Sequence, residues 1–255
     1  MLFVMDIGNT NIVMGIYDKN DLLFHWRLST NKEKSSDEYG ILIIDLLDHN
    51  HVDISKIEAA IVASVVPPIN NTINGTFNKY LKIKPLFIGP GLKTGINIKI
   101  DDPRELGADR IANAVAAYEL YGGPVIVVDF GTATTYCAVT SKGEYLGGAI
   151  CPGIEISLEA LFYKTSKLPK VDIVKTHTII SKNTVSAIQA GIFYGYIGQV
   201  EYIVKHMKEE INEKDIKVIA TGGLSNLIAG ESPLIDIVND LLTLEGLKII
   251  YDKNR

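Results

Sequence analysis

Two short runs of polar and small residues have the composition of phosphate-binding turns. Asp6-Ile7-Gly8-Asn9-Thr10-Asn11 and Asp129-Phe130-Gly131-Thr132-Ala133-Thr134 each follow a short apolar run. In a turn built from Gly and Thr, backbone N–H groups can approach an anion closely, and hydroxyl groups add further donors. Asp6 and Asp129 would repel a bare phosphate, so they indicate a cation between the protein and the phosphate. The pair therefore predicts binding of a metal–nucleotide complex.

A third loop of small residues follows a later apolar run. Ala220-Thr221-Gly222-Gly223-Leu224-Ser225-Asn226 begins with residues whose side chains would not block a flat ring. By itself this loop is equally typical of a tight link between a strand and a helix. Its position after two phosphate-type turns favours contact with a nucleotide base.

Two other nucleotide-binding patterns are excluded. Residues 89–95 resemble a P-loop, but Leu92 precedes Lys93 where a P-loop requires Gly. No Gly-x-Gly-x-x-Gly run opens a helix after a strand, so a Rossmann dinucleotide site has no support.

An acidic and a basic residue stand side by side before a helix-like run. Residues 111–121 have a pattern that predicts a helix, and we expect Asp109 and Arg110 in its first turn or just before it. A carboxylate at this place can accept the proton of a hydroxyl group, and a guanidinium can bind an anion through two hydrogen bonds. An isolated pair of this kind is more often a helix cap beside a solvated Arg, so the two residues alone leave both interpretations open.

The two Asp-x-Gly turns belong to a repeat with a period of 123 residues. Each turn is followed by two more strand-like runs that form a hairpin, at 12–17 and 22–28 and again at 135–139 and 145–150. We expect a helix at 36–47, with Ser35, Ser36 and Asp37 as candidate caps, and helices at 154–162 and 184–208. Further strands are expected at 59–66 and 216–220, and closing strands at 84–88 and 247–251.

This order predicts an α/β protein with two mixed sheets, flanking helices and a central cleft. We place the N-terminal half at 1–118 and the C-terminal half at 119–255, and expect neither half to be active alone.

Composition excludes several other classes. With 255 residues, 47% of them hydrophobic, the chain can bury a core without disulfides, and a net charge of -5 argues against a general nucleic-acid binder. Cys137 and Cys151 form no zinc or disulfide pattern, and no apolar run approaches the ~18 residues of a membrane span. We expect a soluble cytoplasmic protein with neither a nucleic acid nor a membrane as partner.

The two turns and the loop, in this order, resemble the phosphate and adenosine motifs of the actin, sugar kinase and Hsp70 ATPase superfamily. That resemblance implies a duplicated ribonuclease H-like fold and ATP. Five segments together resemble type III pantothenate kinase: 6–11, 89–95, 107–110, 129–135 and 147–153. The family resemblance implies transfer of the ATP γ-phosphoryl group to the primary hydroxyl of pantothenate, which gives 4'-phosphopantothenate in the first step of coenzyme A synthesis.

The family resemblance also implies roles for individual residues. Asp109 is implied to be the general base. Pantothenate is implied to contact Gly107, Ala108, Asp109 and Arg110, and Thr184 from the other subunit of a homodimer. ATP, with a divalent cation such as Mg²⁺, is implied to contact Asp6, Ile7, Gly8, Asn9, Thr10, Asn11, Ile12, Val13 and Thr132. Asp129 is implied to bind a monovalent cation, K⁺ or NH₄⁺.

At one position the chain departs from the family pattern. Ile100 stands where some members carry an aromatic residue that packs on pantothenate, so we expect an apolar contact there at most. Two further hypotheses also explain the nucleotide turns. The first is another small-molecule kinase or phosphatase of the same fold, which would not share the Gly-Ala-Asp-Arg motif found here at 107–110. The second is an ATP-binding regulator that has lost phosphoryl transfer.

Overall fold

The computed structural model describes all residues from Met1 to Arg255, and their contacts divide the chain into two compact units. The first unit comprises Met1–Gly95, Asp102–Ala116 and Leu242–Arg255; the second comprises Ile96–Asp101 and Ala117–Leu241. The C-terminal residues thus cluster with the first unit, and the division at 118/119 into two functional halves stays a prediction. None of the helices has the length and apolar character needed to cross a membrane.

The first unit contains a five-stranded mixed sheet. Its strands are β1 (Leu2–Ile7), β2 (Asn11–Asp18), β3 (Asp21–Ser29), β4 (Ala59–Ser64) and β5 (Leu86–Phe87), in the order β3-β2-β1-β4-β5. The first three strands pair antiparallel, whereas β4 is parallel to β1 and β5 to β4. Strand β1 lies in the middle of this sheet. It begins with a continuous apolar run because both of its faces are covered.

The first helix of this unit begins at a capping residue. In α1 (Ser36–His49), the hydroxyl of Ser35 accepts from the N–H of Glu38, and the Glu38 carboxylate accepts from the N–H of Ser35 at 2.8 Å. This reciprocal pair satisfies two N–H groups at the start of the helix. A short α2 (Asn70–Thr76) follows and continues as the π-helical turn Phe77–Leu81.

The second unit repeats the same strand order. Its strands are β6 (Asn97–Ile98), β7 (Val125–Phe130), β8 (Ala133–Val139), β9 (Glu144–Pro152), β10 (Lys217–Thr221) and β11 (Ile237–Val238). They are arranged β11-β10-β7-β8-β9-β6, so the sheet is a second copy of the first with β6 added at one edge. The repeat predicted from the Asp-x-Gly turns is confirmed.

Three helices lie wholly within the second unit: α4 (Ile154–Lys164), α5 (Thr184–Ile211) and α6 (Ser225–Ala229). The boundary between the units falls within α3 (Ala108–Tyr121), after Ala116. Buried residues of α5, among them Phe193 and Val200, join those of β7 in the core of this unit.

One predicted element is wrong. Residues 247–251 belong to α7 (Leu242–Asp252) instead of a closing strand, and the short strand lies earlier, at β11. Leu244, Leu247 and Ile250 are buried, and this spacing of three residues places them on one side of a helix. The apolar run at 249–251 suggested a strand because a short apolar run does not distinguish a strand from a buried helix.

Candidate active site

The first phosphate-type turn lies at the end of β1, in the first unit. Asp6 is the last but one residue of β1, and the N–H of Gly8 donates to the carbonyl of Asn11 at 2.9 Å to close the turn. Asn9 and Thr10 at its tip are exposed. Their side chains and backbone are therefore accessible to a ligand.

Asp109 lies in the first turn of α3, where the sequence predicted it. The carbonyl of Gly107 accepts the N–H of Ile111 at 3.1 Å, and Asp109 Oδ1 accepts the N–H of Arg110 at 2.7 Å. An alanine Cβ at position 107 would lie 2.5 Å from Asp109 Oδ1. The missing side chain of Gly107 thus leaves the space in which the Asp109 carboxylate lies.

Val65 connects the first turn with residues 107–110. Its N–H donates to the carbonyl of Ile7 at 3.0 Å, and its Cγ1 lies 3.4 Å from the Cβ position of Gly107. The structure therefore brings two of the predicted site segments, 6–13 and 107–110, to the same region of the first unit.

The electrostatic setting of Asp109 suits proton transfer. Burial raises the pKa of the Asp109 carboxyl, and the N–H and positive charge of Arg110 act in the opposite direction. Because burial is the largest of these effects, the carboxylate is a stronger base than a solvated Asp.

The second phosphate-type turn lies at the end of β7, in the second unit. Asp129 pairs in register with Thr221 of β10, and an alanine Cβ at Gly222 would lie 2.6 Å from Asp129 Oδ1. Thr132 is in the turn itself, and its carbonyl accepts the N–H of Gly153 at 3.1 Å. The phosphate-type turn and the third loop are therefore in contact, through Asp129 and Gly222.

An acidic residue holds the helix that follows the third loop. Asp240 accepts hydrogen bonds from Ser225 Oγ and Asn226 Nδ2, both at 2.9 Å. Sequence reasoning missed Asp240, because no local pattern connects a carboxylate to a helix that begins 15 residues earlier.

Thr184 is the first residue of α5, and Asn183 Oδ1 accepts the N–H of Ser186 to cap that helix. Thr184 also lines a cavity of about 720 Å³, together with Leu161, Leu168, Lys182 and Ile188. The cavity is lined by apolar and polar residues, as small-molecule sites commonly are.

Ile100 lies beside the segment 147–153 singled out in the sequence. Its Cγ2 is 3.5 Å from the position that a Cβ at Gly147 would occupy. The expected apolar contact of Ile100 with pantothenate stays a prediction.

The available carboxylates suit a metal ion that arrives with a nucleotide. No group of three or more His, Cys, Asp or Glu side chains is placed to hold a metal ion. Mg²⁺ bound to substrate phosphates needs only one or two protein carboxylates, because phosphate oxygens and water supply the other ligands. Asp6, beside exposed polar residues at a strand end, meets that requirement.

Comparison with solved structures shows which fold the chain adopts. A Campylobacter jejuni protein described as a candidate Baf family transcriptional activator is 21% identical over 99% of this chain and 98% of that chain, with a TM-score of 0.62. The inorganic polyphosphate/ATP-glucomannokinase from Arthrobacter sp. strain KM is 15% identical over 99% and 98%, with a TM-score of 0.51. Component A of (R)-2-hydroxyglutaryl-CoA dehydratase from Acidaminococcus fermentans is 13% identical over 98% and 97%, with a TM-score of 0.53. Together with the repeated sheet, these similarities show a duplicated actin-like fold.

A sequence model of the type III pantothenate kinase family matches residues 2–206. The chain belongs to the type III pantothenate kinase family, and it is an ATP-dependent kinase that phosphorylates pantothenate in coenzyme A synthesis.

Proposed function

We propose that Asp109 accepts the proton of the primary hydroxyl of pantothenate while that oxygen attacks the γ-phosphorus of ATP. The bond between this oxygen and phosphorus forms, the bond from phosphorus to the β,γ-bridging oxygen breaks, and ADP leaves. The observation that carries this proposal is the partly buried Asp109 carboxylate, held by the Arg110 N–H beside the turn that follows β1.

A carboxylate suits this step, although it is a weak base. Phosphoryl transfer has a loose transition state that needs little deprotonation before the leaving bond breaks, so positioning and charge neutralisation contribute most. The raised pKa of Asp109 brings its basicity closer to the optimum for general-base assistance.

ATP is proposed to contact Asp6, Ile7, Gly8, Asn9, Thr10, Asn11, Ile12, Val13 and Thr132. The support comes from Asn9 and Thr10, which are exposed at the tip of the first turn. Mg²⁺ near Asp6 would neutralise charge on the phosphates.

Asp129 is proposed to hold a monovalent cation, K⁺ or NH₄⁺. Its carboxylate lies against the backbone of Gly222, where no side chain competes for space. Carboxylate and carbonyl oxygens are hard ligands of the kind such cations prefer.

Gly107, Ala108 and Arg110 are proposed to contact pantothenate together with Asp109. Arg110 supplies a positive charge close to Asp109, and its planar guanidinium can bind a carboxylate through two parallel hydrogen bonds. Pantothenate carries such a carboxylate.

We further propose a homodimer in which Thr184 of one subunit completes the site of the other. Large apolar side chains near Thr184 are exposed, with Ile180 at 90%, Tyr163 at 74% and Ile179 at 67%. An exposed apolar surface of this kind is typical of an interface, and a second copy of the chain would cover it.

An ADP-release assay tests the proposed acceptor. Pantothenate, glucose and N-acetylglucosamine are supplied separately, each with KCl or NaCl as the only monovalent salt. Of the three acceptors, we expect only pantothenate to give ADP release, and we expect this release to be faster in KCl than in NaCl. Release without any acceptor, or with a sugar and not with pantothenate, would contradict the proposal.

Mixing two inactive variants tests the shared site. Asp109→Asn and Thr184→Arg are purified separately, mixed and allowed to exchange subunits. A shared site predicts that activity returns on mixing, because a mixed dimer contains one site with both native residues. Sedimentation as a monomer at micromolar concentration, or no return of activity in a mixture shown to contain mixed dimers, would overturn it.

A further inference from the structure

We propose that Thr30 is a positioning residue for the phosphate turn that follows β1. The inference rests on the proposed role of that turn in binding ATP. Thr30 follows β3 directly, and it is not among the residues assigned to either substrate above.

Thr30 bonds to two carbonyl groups of the turn. Its Oγ1 donates to the Gly8 carbonyl at 2.7 Å, and its N–H donates to the Thr10 carbonyl at 2.9 Å. One residue therefore fixes two peptide groups on either side of the turn tip.

The directions of these carbonyl groups determine where the turn's N–H groups point. In a planar trans peptide, the carbonyl of one residue and the N–H of the next point to opposite sides. With the Gly8 and Thr10 carbonyls held toward Thr30, the N–H groups of Asn9 and Asn11 point away from it. Thr30 therefore fixes the directions of both amides, and backbone amides are the groups with which such a turn binds an anion.

The second unit has an equivalent position, Gly153, with which the two hydrogen bonds of Thr30 can be compared. There the N–H of Gly153, the residue after β9, donates to the Thr132 carbonyl at 3.1 Å, as the N–H of Thr30 does to Thr10. Gly153 has no side chain, so this copy has no hydroxyl bond to match that from Thr30 Oγ1. The N–H bond belongs to the repeated fold, whereas the hydroxyl bond is particular to the first turn.

Tyr39 holds the chain directly after Thr30. This side chain is buried in α1, and its hydroxyl accepts from the Asn31 N–H at 3.0 Å and donates to the Asn31 carbonyl at 2.8 Å. Thr30 is therefore attached to the core of the first unit instead of moving with an exposed loop.

Thr30→Val tests the inference, because it removes the hydroxyl and keeps the branched shape. The probe is MgADP, with its affinity measured by calorimetry and amide exchange followed for residues 8–11. We expect MgADP to bind roughly fivefold more weakly, which corresponds to one lost hydrogen bond, and the turn amides to exchange faster. We expect Thr30→Ser to retain native affinity and the KM for pantothenate to be unchanged in both variants.

Ser29→Ala is the matched control, since Ser29 precedes Thr30 and its side chain is exposed. Native MgADP affinity and native exchange in Thr30→Val would overturn the inference, as would an equal weakening in Ser29→Ala. If Thr30→Val does not fold, Tyr39→Phe takes its place in the same two measurements. MgADP binding needs no acceptor. If the native chain binds MgADP but does not phosphorylate pantothenate, only the proposed acceptor is contradicted, and the inference about Thr30 is still tested.

Discussion

At the scale of single residues, Asp109 shows how a common amino acid acquires a chemical role from its surroundings. Its carboxylate is partly buried, accepts the N–H of Arg110 and lies where a side chain at Gly107 would otherwise be.

Replacing Asp109 with Asn tests its role as the general base. Asn keeps the shape of the side chain but cannot accept a proton, so we expect turnover to fall by ~10²–10⁴-fold while both substrates still bind. Steady-state kinetics and MgADP calorimetry give the two quantities. Asp102→Asn, at a partly exposed residue paired with Arg104, is the control and should keep native turnover. Native turnover in Asp109→Asn would remove Asp109 from the mechanism.

The raised pKa of Asp109 also predicts how stability changes with pH. The folded state binds this proton more tightly than the unfolded state, so the free energy of unfolding falls as the pH rises from about 3.9, the pKa of an unfolded Asp, through the folded pKa. Near neutral pH, Asp109→Asn should therefore be more stable than the native chain, and the difference should shrink in acid. Urea unfolding over this range measures it. Asp102, whose pKa is lowered by Arg104, should show no such gain.

Gly107 is expected to be required for the position of Asp109. The Cβ of Gly107→Ala would approach Asp109 Oδ1 to 2.5 Å, so the carboxylate must move. A displacement of about 1 Å can cost about 10²-fold in rate, and we expect a loss of turnover of that order with unchanged MgADP affinity. Gly198→Ala in α5, whose Cβ would meet nothing within 4 Å, is the control. Equal turnover in the two variants would show that Asp109 tolerates the displacement.

At the scale of elements, the link from β10 to α6 is fixed by backbone contacts in the second unit. Gly222 has a φ of +92°, and a Cβ there would meet Asp129 Oδ1 at 2.6 Å and the Phe130 backbone at 2.7 Å. The third loop, at residues 220–226, and the proposed cation site at Asp129 are therefore in contact at Gly222.

Gly222→Ala should weaken K⁺ activation as well as the fold. The positive φ alone costs roughly 1–2 kcal/mol for a residue with a Cβ, and displacement of Asp129 adds a specific effect on the cation. Gly122→Ala isolates the first contribution, because Gly122 has a φ of +75° with nothing within 4 Å of the added Cβ. Titration of activity with KCl should show a higher half-saturating concentration in Gly222→Ala only. The same value in both variants would argue against coupling.

At the scale of the whole molecule, the last helix of the chain completes the core of the first unit. Leu244, Leu247 and Ile250 of α7 are buried, and a Cβ at Gly246 would lie 2.0 Å from the carbonyl of Ala112 in α3. Thr243 Oγ1 also donates to Asn113 Oδ1 of α3 at 2.7 Å. Residues at the end of the chain thus support the helix that begins with Asp109.

Leu247→Ala should destabilise the protein by about 2–5 kcal/mol, because it leaves a cavity in this core. The shift of the urea unfolding midpoint measures the change. Leu120→Ala is the control, since Leu120 is 48% exposed and should change stability by less than about 0.5 kcal/mol. A small effect at Leu247 would mean that α7 contributes little to the first unit.

Features that depend on neighbouring residues were predictable. The two Asp-x-Gly turns, their hairpins, the cap at Ser35 and the place of Asp109 in a first helical turn all follow from residues a few positions apart. Strand pairing through short turns and helix capping are local interactions, so periodicity and turn chemistry reveal them. The presence of two mixed sheets was predictable from the repeat in the sequence.

Features that depend on distant residues were decided only by the tertiary structure. The clustering of α7 with the first unit, the hold of Asp240 on α6 and the bonds of Thr30 to the turn after β1 join residues that no local pattern relates. The apolar run at 249–251 fits a strand or a buried helix equally well, and packing against the first unit makes it a helix. The sequence by itself determined which groups could bind phosphate and accept a proton, whereas long-range packing determined how those groups are held.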